Sequence, residues 1–262
     1  MMKYGKWNVV GSVVDGAIHI RQDKPCQDAL FLRAQREAGE NLAIACIADG
    51  HGSGSCPHSS EGAEIAVKIA GEILHEMHRD LPAHKDIRLP KLLEAKWKEA
   101  IKKIHAESGR ETAEPFPYIL YGTTLLAVVA AEDFIFALQI GDGNILLIDS
   151  EGNPRPILAT EETVGEDTES LCMDEAWTYV RTQIIPWNAS GEPAMLLLST
   201  DGYSNSFANS DGFLKAGADF FKLWREEGLP YIDENLPEWL RQSSDKGSGD
   251  DIAMALMVFG KG

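Results

Sequence analysis

The sequence predicts an antiparallel β-sandwich with amphipathic helices on its outer faces. Its apolar runs are short, and several follow one another across tight turns. They do not alternate regularly with helices, as a doubly wound parallel sheet requires. Each helical segment carries one apolar stripe, which needs a sheet face to cover it.

Trp7 to Val14 and Ala29 to Arg33 read as short strands. Leu42 to Ala48 is a nearly continuous apolar run, as expected of a strand covered on both faces. A Gly/Ser-rich loop, His51 to Ser55, leads into a helix over Pro57 to Met77. Pro57 suits a first helical turn, and Ala63, Ala66, Ile69, Ala70, Ile73, Leu74 and Met77 share one face. Leu81 to Pro90 holds two prolines and reads as a loop; Leu89 to Glu107 is a second amphipathic helix, with Leu92, Leu93, Trp97, Ile101 and Ile104 spaced for one face. Gly109 to Tyr118 is a Pro-rich connection.

Thr124 to Ala131, Phe134 to Ile140 and Ile145 to Ile148 read as strands. Glu132-Asp133 and Asp142-Gly143 are the hairpin turns expected between them. Pro154 to Glu175, with seven Asp/Glu between Glu161 and Glu175, reads as a mobile surface loop. Trp177 to Gln183 and Ala194 to Thr200 are expected strands. Asp211 to Glu227 is a helix with Phe213, Ala216, Phe220, Phe221 and Trp224 as its buried stripe; Ile232 to Arg241 is a shorter one, and Ile252 to Phe259 closes the chain as a strand. No linker divides these runs, so one domain is expected over residues 1–262.

The 262 residues carry 24 Lys+Arg against 41 Asp+Glu, a net charge of −17. That argues against nucleic acid and against an anionic membrane as partners. Cys26, Cys46, Cys56 and Cys172 form no C-x-x-C pair, so neither a disulfide framework nor a zinc site is expected. Met1 to Val14 lacks the apolar stretch of a signal peptide, and no run approaches the ~18 apolar residues of a membrane span. A reducing cytoplasm fits these features.

The chemistry lies in carboxylates at strand ends. Asp28 enters an early strand, Asp49 follows the run Leu42 to Ala48, Asp201 follows Ala194 to Thr200, and Asp250-Asp251 precede the last strand. A carboxylate there is unfavourable unless solvated, paired or bound to a cation. Brought together by the fold they would repel, and a divalent metal cluster removes that conflict. Oxygen ligands suit Mg²⁺ or Mn²⁺, so the residues themselves point to a metal-dependent hydrolase. Asp49-Gly50-His51-Gly52 is the most specific local signal: the glycines allow a tight turn, and His51 exchanges a proton near neutral pH. Each segment alone could be a turn or a cap; their joint occurrence carries the reading.

The ordered set Pro25-Cys26-Gln27-Asp28-Ala29, Asp49-Gly50-His51-Gly52, Tyr121-Gly122-Thr123-Thr124, Ile140-Gly141-Asp142-Gly143, Ser199-Thr200-Asp201-Gly202 and Gly249-Asp250-Asp251-Ile252-Ala253 resembles the PP2C-type serine/threonine protein phosphatases, in their bacterial stand-alone branch. The resemblance runs from about residue 11 to the C-terminus. It implies an α+β fold, a four-layer α-β-β-α sandwich of two antiparallel sheets flanked by helices, with two Mn²⁺ or Mg²⁺ ions at one end. By the resemblance, Asp49 bridges both ions, the Gly50 carbonyl holds one, Asp201 and Asp250 complete the other's shell, and Asp28 acts through water. Asp142 matches an aspartate that helps hold a third ion, and His51 matches the general acid for the leaving alkoxide. The implied partners are phosphorylated proteins, substrates of a cognate Ser/Thr kinase.

Two departures stand out. The first motif often carries Glu-Asp, and here it is Gln27-Asp28, so a carboxylate is missing from the expected water shell and metal affinity or preference is expected to differ. The family's phosphate-binding arginine precedes that pair by a few residues; Arg21 and Lys24 both lie there and the sequence does not choose between them. His19 falls in the same segment, and the family's flap would fall in Thr160 to Glu175. Two competing functions are a catalytically silent domain that binds phosphoproteins and a metal-dependent hydrolase of small phosphate esters.

Overall fold

A computed structural model describes residues 6–35, 41–111, 113–158, 168–187 and 194–260. Two five-stranded sheets, antiparallel at every pairing, form its centre. The first holds β1 (Lys6–Val14), β10 (Ile252–Gly260), β9 (Ala194–Ser199), β6 (Asn144–Ile148) and the short β7 (Pro154–Pro156), in that order. The second holds β2 (Asp28–Gln35), β3 (Leu42–Asp49), β4 (Leu125–Ala130), β5 (Phe134–Ile140) and β8 (Arg181–Pro186).

Strand alternation explains the layers. Successive side chains point to opposite faces. Ala43, Ala45 and Ile47 of β3 pack with Leu196 and Leu198 of β9 and Ala255 and Met257 of β10, filling the space between the sheets. The intervening Ile44, Cys46 and Ala48 face outward onto α2 (Ser59–Met77) and α4 (Arg88–Glu107). On the other sheet Leu197, Met254 and Leu256 face α6 (Ser210–Glu227) and α7 (Leu229–Lys246). The strands therefore read as continuous apolar runs because both faces are covered, and the four-layer α-β-β-α sandwich follows.

Several local expectations change. Asp142-Gly143 is not a hairpin turn: β5 and β6 lie in different sheets, so the turn carries the chain across the sandwich. Gly141 and Gly143 both have left-handed φ, +87° and +94°, and the Gln139 amide donates to both their carbonyls. The stretch Leu81 to Pro90 is largely helical, with α3 (Leu81–His84) and the start of α4 each taking proline into a first turn, where the missing N–H is harmless. Trp177 does not begin a strand. Its backbone N–H donates to Glu94 Oε2 at 2.9 Å and Lys91 sits over its ring, so the segment is held to α4 and the strand starts at Arg181. Helix α7 runs well beyond Ile232 to Arg241, on a stripe of Ile232, Leu236, Leu240 and Ser244. A short helix, α1 (Ala17–Gln22), was not expected at all.

Candidate active site

The motif carboxylates gather at one end of the sandwich. Asp28 opens β2 and stands directly opposite Asp49, the last residue of β3. Asp201 opens the short helix α5 (Asp201–Ser204) immediately after β9 and Thr200, and Asp250 lies two residues before β10. Asp142 sits on the crossover between the sheets, exposed. Asp201 and Asp142 both repel Asp49, while Asp250 and Asp201 both repel Asp28.

Electrostatics make this region a poor home for bare carboxylates. Burial pushes the Asp28 and Asp49 carboxyls well above the usual range, and neighbouring aspartates push them further. Asp201 is raised by burial and then by Asp142. Asp49 and Asp201 act on each other's ionisation, a conflict that a shared proton or a cation relieves. An all-oxygen donor set under this strain fits hard divalent cations.

Threonines fix the carboxylates. Thr200 Oγ1, on the first sheet, donates to Asp28 Oδ2 at 2.7 Å on the second, tying the two sheets where the site forms. Thr123 Oγ1 and the Thr124 N–H both donate to the Asp49 carbonyl at 2.9 Å, and Asp49 N–H donates to Thr124 Oγ1. The Thr-Thr pair of the Tyr121 motif thus acts by orienting the backbone that carries Asp49.

Gly50 N–H donates to the Gln27 carbonyl, and His51 N–H to the Gly122 carbonyl, both at 3.0 Å. Burial holds the His51 imidazole below its usual range, with Asp142 pulling the other way. A lowered pKa makes an imidazolium a stronger acid and a less populated one.

The Asp250-Asp251 pair divides its work. Asp251 is buried, and its carboxylate accepts from Gly16 N–H at 2.6 Å, Gln27 N–H at 2.7 Å and His19 Nδ1 at 2.8 Å. It is a structural anchor, whereas the Asp250 side chain is 52% exposed, with Oδ1 accepting from the Asp251 N–H at 2.9 Å. His19 is buried and points at this pair, with Nε2 3.8 Å from Asp250 Oδ1. The motif match had given Asp250, not Asp251, the ligand's place; the anchoring role of Asp251 comes from three donors converging from distant segments.

Arg21 and Lys24 are exposed, and among the described residues neither pairs with a carboxylate. Arg21 lies two positions from the inward-pointing His19 on α1, about 200° round the helix, so it leaves the opposite face. Within the expected mobile loop, residues 159–167 lie outside the described residues. The portion after them is anchored: Ser170 Oγ donates to the Thr123 carbonyl at 3.0 Å, Leu171 N–H donates to the same oxygen, and Thr168 reaches Asp142. The expected flap, Thr160 to Glu175, is therefore only partly described.

A sequence model of the family described as protein phosphatase 2C matches residues 15–241. Serine/threonine-protein phosphatase 3 of Escherichia coli (strain K12) is 25% identical over 262 residues, covering 97% of this chain and 98% of that protein. Among solved structures, the catalytic domain of the serine/threonine phosphatase PstP in complex with two manganese ions superposes with a TM-score of 0.61 at 17% identity, over 97% of this chain and 98% of the other. The serine/threonine phosphatase of S. agalactiae gives 0.60 at 18% identity, over 96% and 98%. At these identities the two superpositions speak to the fold.

Proposed function

The chain belongs to the protein phosphatase 2C family, and from that premise we propose that it hydrolyses phosphoserine and phosphothreonine in proteins with two Mn²⁺ or Mg²⁺ ions. The observation that carries the reading is the convergence of Asp28, Asp49 and Asp201 from both sheets, each raised by burial and by neighbouring carboxylates. In this reading Asp49, Asp201, Asp250 and the Gly50 carbonyl hold the ions, Asp28 acts through water, and exposed Asp142 contributes to a third, weaker site. Bound there, the ions supply Lewis acidity toward the phosphoryl oxygens and bring the pKa of a water near neutrality. His51 gives a proton to the departing serine or threonine oxygen, whose alkoxide is otherwise a very poor leaving group. Either Arg21 or Lys24 orients the phosphate in this reading.

The protein would act as one domain on phosphorylated protein partners, the products of a Ser/Thr kinase, in the cytoplasm. The pairing of β1 with β10 over all nine residues of each supports the single domain. No described helix is long and apolar enough to cross a membrane.

The test is turnover of a phosphoserine peptide and of p-nitrophenyl phosphate, with Mn²⁺ and after chelation with EDTA. Peptide hydrolysis that needs the ion is expected. Full activity after chelation would sink the metal assignment. Turnover of the small ester alone would mark a small-ester hydrolase, and none of either a silent binding domain.

A further inference from the structure

We propose that Gln27 is a positioning residue that clamps the His51 loop, and that the site uses its amide as a hydrogen-bond donor. The inference rests on the reading of His51 as the acid. Gln27 stands where the related motif often carries glutamate, and its neutrality was expected to leave a gap in the water shell of the metals. Its contacts give it a different task.

The side-chain Nε2 donates to Ser59 Oγ at 2.5 Å and to the His51 carbonyl at 3.3 Å. A carbonyl only accepts, so His51 fixes the amide with its nitrogen toward the loop. The Gln27 backbone completes the clamp: its N–H donates to Asp251 Oδ2 at 2.7 Å, and its carbonyl accepts from Gly50 N–H at 3.0 Å. One residue thereby joins the turn before β10, the turn after β3 and the first residue of α2. Those are the segments that carry Asp250, His51 and Ser59.

A glutamate at 27 could not make the bond to the His51 carbonyl when ionised, because a carboxylate has no proton to give, and it would keep Ser59 only with the hydroxyl turned round to donate. It would set two anionic oxygens against the His51 carbonyl. It would also add charge to a region where Asp28, Asp49 and Asp201 already repel one another. The two accounts of Gln27 therefore predict opposite results for Gln27→Glu. A vacancy in the metal shell predicts tighter metal binding; a clamp predicts a loosened His51 loop and no gain in affinity.

The experiment compares wild type, Gln27→Glu, Gln27→Ala and Ser59→Ala. Mn²⁺ affinity is measured by calorimetry, amide hydrogen exchange is followed over residues 51–56, and turnover is measured on a phosphoserine peptide and on p-nitrophenyl phosphate. In both Gln27 variants exchange over that segment is expected to speed up by about tenfold, as for the loss of one or two hydrogen bonds. Ser59→Ala should move it the same way by less. The peptide rate should fall about five- to tenfold further than the p-nitrophenyl phosphate rate, because only the peptide's leaving group needs the His51 proton. Tighter Mn²⁺ binding by Gln27→Glu would overturn the proposal, and so would unchanged exchange in Gln27→Ala. A wild type inactive on both substrates would defeat the phosphatase reading, while exchange and calorimetry would still decide the clamp.

Discussion

A methyl group at position 122 would stand 2.6 Å from His51 Cδ2 and 3.3 Å from Cys56 Sγ. The Gly122 backbone, at φ −52° and ψ 131°, is open to any residue, so glycine is required here by space alone. Gly122→Ala should push the imidazole off its position and lower kcat on a phosphopeptide by about tenfold or more, with circular dichroism unchanged. Asp49 gives the second residue-scale expectation. Asp49→Asn should cut kcat by orders of magnitude at saturating Mn²⁺, and the metal-free variant should melt above the metal-free wild type at neutral pH, because a carboxylate that burial and its neighbours disfavour has been neutralised. Near wild-type turnover would remove Asp49 from the ligand set. His51→Gln should slow the peptide by about 10²-fold or more and p-nitrophenyl phosphate much less; equal losses would remove the acid role.

At the scale of elements, α2 and α4 support the strand that delivers Asp49. Trp97 of α4 is fully buried, and its Nε1 donates to the Gly62 carbonyl of α2 at 3.0 Å. Trp97→Ala should destabilise the fold by about 3–5 kcal/mol, read as a shifted midpoint in urea with little change in slope. The two-sided apolar run of β3 and the stripes of α2, α4 and α6 were legible in the sequence, since both depend on local periodicity. The strand-end aspartates were legible for the same reason, as polar residues at the ends of apolar runs. What depends on tertiary partners was hidden. Asp142-Gly143 has turn chemistry, but which sheet the next strand joins is decided by distant pairings. Trp177 has strand propensity, but Glu94 and Lys91 hold it to a helix. Gln27 looked like a lost charge until His51 and Ser59 appeared beside its amide.

At the scale of the molecule, the acidic end should make stability depend on pH and on cations together. The folded Asp28 and Asp49 carboxyls sit above their unfolded values. The folded state therefore binds protons more tightly, and ∂ΔG/∂pH from these groups is negative. Their contribution is full below the unfolded carboxylate range, near pH ~4, and is lost as pH rises through the folded values. The stability gained by Asp49→Asn over wild type, both metal-free, should accordingly grow from pH ~4 toward neutrality. Added Mn²⁺ at about 100 times its dissociation constant should raise the wild-type melting temperature at pH 7 by roughly 5–10 °C. That gain should shrink on acidification as protons compete for the same oxygens. Calorimetric scans at several pH values, with and without Mn²⁺, check both.

The pairing of β1 with β10 bears on how the protein is made. Trp7 lies across from Phe259 and Val14 from Ile252, so β1, made before every other described strand, pairs with β10, made after them. The last strand is also an interior one, inserted between β1 and β9. Until it arrives β1 has nothing to join it to β9 in the first sheet, and Asp250 has no fixed place near Asp201. The second sheet has no such wait, because its five strands lie within residues 28–186. Synthesis proceeds at about 5–20 residues per second, so a nascent chain carries half a sandwich for several seconds. Contacts this distant in sequence also form slowly. The carboxylate cluster is thus completed only once β10 has been made, and a chain cut before Ile252 is expected to be unable to gather it.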